Sequence, residues 1–269
     1  IRRSIAEGMT IPRLSPLSRI AEAQRLSLEE LIHEIETEPA LAALVLREAN
    51  LGREDSPTAI LHEACLRLGA DNLRKISACI ELSAAPPAER EQLWEQALRT
   101  AEAARLLAEE TAIMSAEEAY TLGLLHDAGE ALLGQLFPAE MEQIGANQEE
   151  RCEKERALFG VDHAQVGQWL LEACGVPRHL TSAVQTHHDI TRINSPAALL
   201  LHVADAIAQA DSPYEVAALG TIDTDQLYML GINRNGLFRI YACVGSAIEQ
   251  RIDPVFPVLT TSSEVCKTL

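Results

Sequence analysis

Aromatic residues and positive charge are scarce in this sequence. Of its 269 residues only 4% are aromatic, and 22 Lys and Arg stand against 40 Asp and Glu, which leaves a formal net charge of -18. Such an acidic surface repels phosphate backbones, so nonspecific nucleic-acid binding is not expected. Basic residues do not cluster with aromatic residues anywhere, so the sequence predicts no platform for stacking single-stranded nucleic acid.

Long apolar runs and paired cysteines are also missing. No uninterrupted apolar stretch approaches the roughly 18 residues of a membrane-spanning helix, and the N-terminal residues do not form a secretory signal. The six cysteines are spread singly along the chain with no Cys-x-x-Cys pair, which is typical of core thiols in a reducing compartment. The sequence therefore predicts a cytoplasmic protein that does not associate with a membrane.

Apolar residues at helical spacing are abundant. Hydrophobic residues make up 47% of the chain and recur every three or four positions, whereas strand-like alternation is scarce. The pattern predicts an all-α fold. Two successive prolines cannot lie inside a helix, so the run Ala84-Ala85-Pro86-Pro87 is expected to divide an N-terminal helical lobe, residues 12–85, from a helical bundle, residues 86–252.

The breaks in this periodicity locate the individual helices. Because the chain begins with Ile rather than Met, residues 1–11 are expected to be a connector from an upstream domain. Residues 253–269 contain two prolines and a Thr and Ser cluster, and they are expected to be an irregular tail. The predicted helices cover about residues 28–35, 39–49, 59–68, 71–83, 88–112, 115–133, 139–158, 162–174, 178–189, 196–211 and 236–251.

A His and an Asp interrupt an otherwise apolar run at residues 122–129. Burying both side chains costs free energy unless they are paired, hydrogen-bonded or bound to a metal. Imidazole and carboxylate together suit zinc, iron, manganese or nickel. Three later polar residues, at the start of a helix, at the end of a helix and within an apolar helix, could complete the shell. The candidate ligands of a divalent transition metal are His126, Asp127, His163, His187 and Asp205.

The same residues also have structural interpretations. A single His at a helix end is commonly a capping or hydrogen-bonded group, which would suffice for His163, and His188 could face solvent beside His187. The candidate ligands could also form a hydrogen-bond network that fixes the packing of the helices. A surface or capping role suffices for the remaining histidines, His33, His62, His179 and His202.

The order His-Asp, His, His-His, Asp resembles the HDOD domain, a relative of the HD phosphohydrolases and of the HD-GYP cyclic dinucleotide phosphodiesterases. This resemblance implies an N-terminal helical lobe packed against an HD-like helical bundle, together spanning residues 12–252. The segments that carry it are Ile11-Pro12-Arg13-Leu14, Glu38-Pro39-Ala40-Leu41, Arg47-Glu48-Ala49-Asn50, the segment from Gly123 to Gly129, the segment from Gly160 to Gly167, Val176-Pro177 and His187-His188.

Two departures from active HD enzymes bear on the chemistry that the resemblance implies. Those enzymes carry a further His upstream of the His-Asp pair, and its place, counted from Trp94, is taken here by Gln96. No Gly-Tyr-Pro loop follows His188. Because Gln is a poor ligand for transition metals, the metal shell is expected to lack one imidazole. No catalytic residue is therefore assigned.

These features favour a non-catalytic signal-transduction output or scaffold module. HDOD modules of bacteria are commonly joined to receiver or other sensory domains, so the resemblance implies regulation by an upstream domain of that kind. Such a module would act by binding a signalling protein or a small, nucleotide-type ligand. The alternative is a metal-dependent phosphohydrolase or phosphodiesterase with an altered HD site. It is less favoured because no Lys or Arg adjoins the proposed ligands to receive a phosphate.

Overall fold

The computed structural model describes residues 1–9, 11–15, 23–79, 88–144, 148–193, 195–210, 212, 222 and 224–252. All regular secondary structure within these residues is helical, which confirms the all-α prediction. A short 3-10 helix spans Ile190–Arg192. The α-helices are α1 Arg2–Ala6, α2 Leu28–Glu36, α3 Pro39–Asn50, α4 Leu61–Ser77, α5 Ala88–Thr111, α6 Ala116–Leu125, α7 Ala128–Leu136, α8 Pro138–Ile144, α9 Gln148–Phe159, α10 His163–Ala173, α11 Arg178–Thr186, α12 Pro196–Gln209, α13 Thr224–Leu230 and α14 Arg234–Ile252.

Helices α2 to α4 form the N-terminal lobe, and their ends follow from the sequence. Ser27 begins α2 with a capping box, in which its hydroxyl accepts from the Glu30 amide and the Glu30 carboxylate accepts from the Ser27 amide. Pro39 begins α3, where its missing N–H leaves no helical hydrogen bond unmade. Gly69 kinks α4 at φ 73°, a left-handed conformation that favours glycine.

The lobe packs directly against the bundle. A continuous apolar core runs from α2, α3 and α4 into α6, α7, α10 and α11. Two aromatic side chains of the bundle also donate hydrogen bonds to backbone carbonyl groups at the end of α2. The Trp94 indole donates to the Thr37 carbonyl oxygen at 2.7 Å, and the Tyr120 hydroxyl donates to the Glu36 carbonyl oxygen at 2.8 Å. The predicted packing of an N-terminal lobe on a helical bundle is therefore confirmed.

Helix α5 is the centre of the bundle and contacts α6, α12 and α14. A stripe of small residues along it is buried, consisting of Ala97, Ala101, Ala104 and Ala108. Gly123 of α6 approaches α5 so closely that a Cβ there would lie 2.7 Å from the Ala101 Cα. The small residues therefore allow the close helix contact that places α6, and the polar residues after it, against α5.

The structure corrects several predicted helix boundaries. The predicted helix 115–133 is two helices, α6 and α7, which meet at a turn formed by His126 and Asp127. The predicted helix 139–158 is likewise divided into α8 and α9. The sequence did not predict α13. The proline run at 84–87, the final residues of the predicted helix 71–83, and the predicted tail 253–269 lie outside the described residues.

Two further predictions concern membranes and thiols. No helix in the described part of the chain combines the length and the apolar character needed to cross a membrane. Cys65 and Cys174 are buried free thiols, as predicted, and Cys152 is a half-buried free thiol. Cys79 is free but exposed, and Cys243 is disulfide-bonded, so the prediction of unpaired core thiols is wrong at these two positions.

Candidate metal centre

The turn between α6 and α7 directs two polar side chains into the bundle. His126 keeps helical angles, φ −60° and ψ −40°, whereas Asp127, at φ −103° and ψ 17°, leaves the helix. The start of α7 then packs on α10 without space for a side chain. A Cβ on Gly129 would lie 2.0 Å from the His163 carbonyl oxygen and 2.6 Å from the Gly167 amide nitrogen. The His-Asp turn therefore lies directly against the first residue of α10.

The structure brings all five predicted ligands together around the Asp127 carboxylate. His126 Nε2 lies 3.0 Å from Asp127 Oδ2 and 3.3 Å from Asp205 Oδ1. On the other side of the carboxylate, Nε2 of His163 lies 3.5 Å from Asp127 Oδ1 and Nε2 of His187 lies 3.6 Å from the same oxygen. None of these five side chains is more than 8% exposed.

His188, for which the sequence allows a solvent-facing position, belongs to the same site. Its Nε2 lies 3.9 Å from Asp127 Oδ1, and its Nδ1 lies 3.8 Å from Asp205 Oδ2. The ring stacks on that of His187, with the centroids 3.8 Å apart. Its side chain is 23% exposed, so it forms the solvent-accessible side of the site. The His-Asp cluster, as we call the site below, consists of His126, Asp127, His163, His187, His188 and Asp205.

Three of the imidazole rings are held by their Nδ1 atoms. His126 and His187 each donate Nδ1–H to the carbonyl oxygen three residues earlier in the chain, at 2.7 and 2.6 Å. His163 donates Nδ1–H to Glu155 Oε2 at 2.7 Å. In each neutral ring the lone pair is therefore on Nε2, the atom that faces the cluster. Metal-binding histidines are oriented in the same way, by an acceptor at the other ring nitrogen.

The atoms that face one another across the cluster have no hydrogen-bond partner within the part of the chain that the structure describes. This holds for Nε2 of all four histidines and for Asp127 Oδ1, and each of these atoms is buried. The distances given above place them close together, but the contacts do not have hydrogen-bond geometry. Buried polar groups without partners are rare in proteins and mark places where a ligand or ion is bound. The donor set of imidazole nitrogens and carboxylate oxygens suits a divalent transition metal.

Two groups of these atoms could each hold a cation. In both groups the ligand atoms lie within 4.8 Å of one another, and His187 belongs to both. The first group consists of Asp127, His163, His187 and His188, and the second of His126, His187 and Asp205. The chain therefore contains a cluster that could bind a metal whose identity the donor set does not fix.

Without a cation, the charged groups of the cluster shift one another's pKa values. Burial opposes charging His126, but the Asp127 and Asp205 carboxylates outweigh burial and hold its pKa well above the usual range. Burial likewise opposes charging His163, yet Glu155 and Asp127 raise its pKa to about 9. Burial and the neighbouring His188 lower the pKa of His187 to about 4.

Two amide side chains support the carboxylates. Gln96 of α5 donates from Nε2 to Asp127 Oδ2 and to Asp205 Oδ1, both at 3.4 Å. It therefore occupies the place in the cluster that the resemblance assigned to the missing imidazole. Gln209 donates to Asp205 Oδ2 at 2.8 Å. These bonds orient the carboxylates, as the supporting groups of metal sites commonly do.

The sequence did not reveal three residues that support the cluster. Glu155 is fully buried beneath His163, and Glu130 is buried close to it, where it pairs with Arg151. His202 donates Nδ1–H to the His187 carbonyl oxygen at 2.7 Å. A buried Glu in the strongly polar helix α9 has no sequence signal that separates it from its solvent-exposed neighbours.

Comparison with solved structures relates this fold to two bacterial proteins. The crystal structure of the MmoQ response regulator from Methylococcus capsulatus str. Bath matches with a TM-score of 0.70 at 24% identity, over 87% of this chain and 98% of that one. The structure of a virulence factor from Campylobacter jejuni subsp. jejuni matches with a TM-score of 0.65 at 16% identity, over 92% of this chain and 99% of that one. These similarities show the same fold.

Comparison of sequences identifies the family. An uncharacterized protein of Treponema pallidum (strain Nichols) is 26% identical over 188 residues, which are 66% of this chain and 37% of that protein. The chain thus spans little more than a third of that relative. The family model described as HDOD domain matches residues 12–190, well over half of the chain and nearly all of the cluster. This chain therefore belongs to the HDOD domain family.

Proposed function

We propose that this chain is a signal-transduction module that binds a divalent transition metal at the His-Asp cluster and acts by binding rather than by turnover. The observation that carries the proposal is the set of four buried Nε2 atoms that face Asp127 without a hydrogen-bond partner. A second crystal structure of the MmoQ response regulator, 26% identical to this chain with a TM-score of 0.68, supports a signalling role.

A metal satisfies this cluster better than a hydrogen-bond network does. The neutral rings of His126, His163 and His187 already use their Nδ1 protons, so their Nε2 lone pairs face carboxylate lone pairs. Additional protons on Nε2 of His126 and His163, which their raised pKa values favour without a cation, replace this repulsion with charge attraction but still leave the contacts without hydrogen-bond geometry. One cation, in contrast, accepts lone pairs from imidazole and carboxylate together.

Several features oppose turnover. Gln96 directs an amide nitrogen, which cannot coordinate a metal, at both carboxylates. Within the described residues, the ion pairs of Asp127 and Asp205 are all with histidine. A phosphate substrate would therefore find no Lys or Arg paired with these ligands. A binding role fits these features, with a signalling protein or a small, nucleotide-type ligand as partner and an upstream receiver domain as regulator.

A metal-dependent phosphohydrolase is the second candidate, and one observation favours it. The two oxygens of Asp127 face different histidines, with Oδ2 towards His126 and Oδ1 towards His163, His187 and His188. A carboxylate placed in this way could bridge two cations, and a pair of cations can stabilise both the attacking and the leaving oxygen of a phosphodiester.

Metal binding is tested by elemental analysis of protein purified without chelators and then titrated with Zn²⁺, Mn²⁺, Fe²⁺ or Ni²⁺. We expect stoichiometric metal in the wild type and at least one equivalent less in His187→Ala. His179→Ala is the matched control, because His179 is an exposed residue of the same helix, α11. Failure of the wild type to bind any of these metals, or equal metal content in the wild type and His187→Ala, would contradict the proposal.

Turnover is tested separately, on the metal-loaded protein, with cyclic dinucleotides, nucleotides and generic phosphodiesters. We expect no product to accumulate beyond that of the protein-free control. Steady hydrolysis that disappears in His126→Ala but persists in His179→Ala would replace the binding role with the phosphohydrolase.

A further inference from the structure

A thiol lies on the outer side of the His-Asp cluster, where α9 packs against the start of α10. Cys152 and Glu155 are one turn apart on α9, and His163 begins α10. One ligand atom from each of these three residues lies within 4.8 Å of the other two. Cys152 is a free, half-buried thiol, while Glu155 and His163 are at most 1% exposed.

Glu155 shows that this group of atoms is more than close packing. Its Oε2 accepts from both the amide and the Nδ1–H of His163, each at 2.7 Å. Its Oε1 is buried and has no hydrogen-bond partner. A buried carboxylate oxygen without a partner is costly, and beside a thiol and an imidazole it is a ready ligand for a cation.

We propose that Cys152, Glu155 and His163 form a second metal site, the thiol site, which binds a soft divalent cation such as Zn²⁺ or Cd²⁺. Thiolate ligands favour soft cations, and three protein ligands leave a position for water. His163 can serve this site with Nδ1, since Nε2 faces Asp127 on the opposite side of the ring. The site does not require the His-Asp cluster to be occupied.

Cation binding changes the protons of two residues. Cys152 loses its thiol proton to solvent, although burial has raised the pKa of that thiol to about 12, because a coordinated thiol is deprotonated outright. His163 loses its Nδ1 proton, and the proton that its ring retains is on Nε2, which faces Asp127 Oδ1 at 3.5 Å. In that state Nε2 no longer offers a lone pair to the His-Asp cluster. The two sites therefore compete for His163.

The probe for the thiol site is Cd²⁺, because the ultraviolet sulfur-to-cadmium charge-transfer band reports a coordinated thiolate. The His-Asp cluster contains no sulfur, so it gives no such band. We expect the full-length wild type to develop the band at one equivalent of Cd²⁺ and Cys152→Ser to lose it. Glu155→Gln should weaken Cd²⁺ binding about 10- to 100-fold, as the loss of a metal-site partner does.

Two controls separate this proposal from the others. Cys79→Ser removes an exposed free thiol and should keep the band, whereas His187→Ala removes a ligand of the His-Asp cluster alone and should also keep it. Absence of the band in the wild type, or its persistence in Cys152→Ser, would overturn the thiol site. Since Ser differs from Cys by one atom at a half-buried position, Cys152→Ser tests the proposal even if Glu155→Gln does not fold.

Discussion

Two buried polar clusters in this bundle are built on opposite principles. The first, which we call the arginine network, joins α2, α5, α6 and α14. Its central carboxylate, Glu102, is 1% exposed. It accepts hydrogen bonds from Arg105, at 2.7 Å, and from Arg251. Arg251 also reaches Glu36 at 3.4 Å and lies 4.1 Å from the centroid of the Tyr120 ring. Each charged group in this network faces one of opposite charge or an aromatic face.

The polar atoms of the His-Asp cluster, in contrast, face one another without hydrogen-bond geometry. Its Nε2 atoms face carboxylate oxygens, and within the described residues all four Nε2 atoms and Asp127 Oδ1 have no hydrogen-bond partner. The charged groups of the arginine network are paired with one another and require no ligand. We therefore assign this network the structural role of holding the helices together. The His-Asp cluster requires a cation to be satisfied. The comparison teaches that the pairing of buried polar atoms, rather than their burial, separates a structural cluster from a binding site.

The largest effect is expected from breaking the arginine network. Arg251→Ala leaves Glu102 buried without its partner on α14, and the loss of one partner of a buried pair costs about 3–5 kcal/mol of unfolding free energy. Denaturant unfolding measures this loss, which should be the same with and without metal. Arg239→Ala, on the same helix, breaks an exposed pair with Glu110 and should cost no more than about 1 kcal/mol. Equal losses of unfolding free energy in the two variants would contradict the structural role of the arginine network.

The His-Asp cluster should respond to metal instead. At a free metal concentration about 100 times the dissociation constant, mass action stabilises the folded wild type by about 2.7 kcal/mol. His187→Ala, which removes the ligand shared by both groups of the cluster, should lose this gain, whereas Arg251→Ala should keep the same gain although the variant is less stable overall. Thermal unfolding with and without metal measures both. A metal-dependent gain that survives in His187→Ala would show that the cation binds elsewhere.

A substitution that disturbs the packing of α7 against α10, behind the cluster, should have a smaller effect on the unfolding free energy. Gly129→Ala places a methyl group against the backbone of α10, and overpacking of this kind costs about 1–3 kcal/mol. It should also weaken metal binding, because it separates Asp127 from His163. Gly134→Ala is the matched control on α7, since nothing lies within 4 Å of its Cβ and Ala favours helix by up to about 1 kcal/mol. Unfolding and metal titration of both variants test this difference.

The smallest effect concerns pH and has opposite signs in the two metal states. Without metal, the pKa of His163 is raised to about 9, so the stability that its charged form contributes is complete below the unfolded-state pKa and declines as the pH rises towards 9. The raised pKa of His126 acts in the same direction. Metal binding removes protons from the imidazoles, so the stabilisation by metal should increase over the same range. Unfolding between pH 7 and 9, with and without metal, measures both trends.

Sequence reasoning succeeded where a polar residue interrupts an apolar pattern. His126, Asp127 and Asp205 stand out in apolar runs, and Gln96, identified by its spacing from Trp94 and the family resemblance, contacts both carboxylates. The turn after Leu125 was missed because the apolar periodicity continues through it from α6 into α7.

Glu155 and His188 could not be assigned to the site from the sequence for a different reason. Glu155 lies in a helix whose residues are polar on every side, so neither periodicity nor composition distinguishes its buried face. For His188, the sequence leaves open a solvent-facing position beside His187. The ring lies in the cluster because the chain turns there before the 3-10 helix Ile190–Arg192. Tertiary contacts, which a single sequence does not contain, place both residues.

The central claim is that one cation satisfies the lone pairs of the His-Asp cluster. Anomalous diffraction at the absorption edge of the bound metal, from crystals of the metal-loaded protein, tests it most directly. The account predicts a peak about 2.0–2.2 Å from His187 Nε2 and from an oxygen of Asp127, the usual lengths of such metal–ligand bonds. A map with no peak in the cluster, from crystals whose solution contains saturating metal, would contradict it.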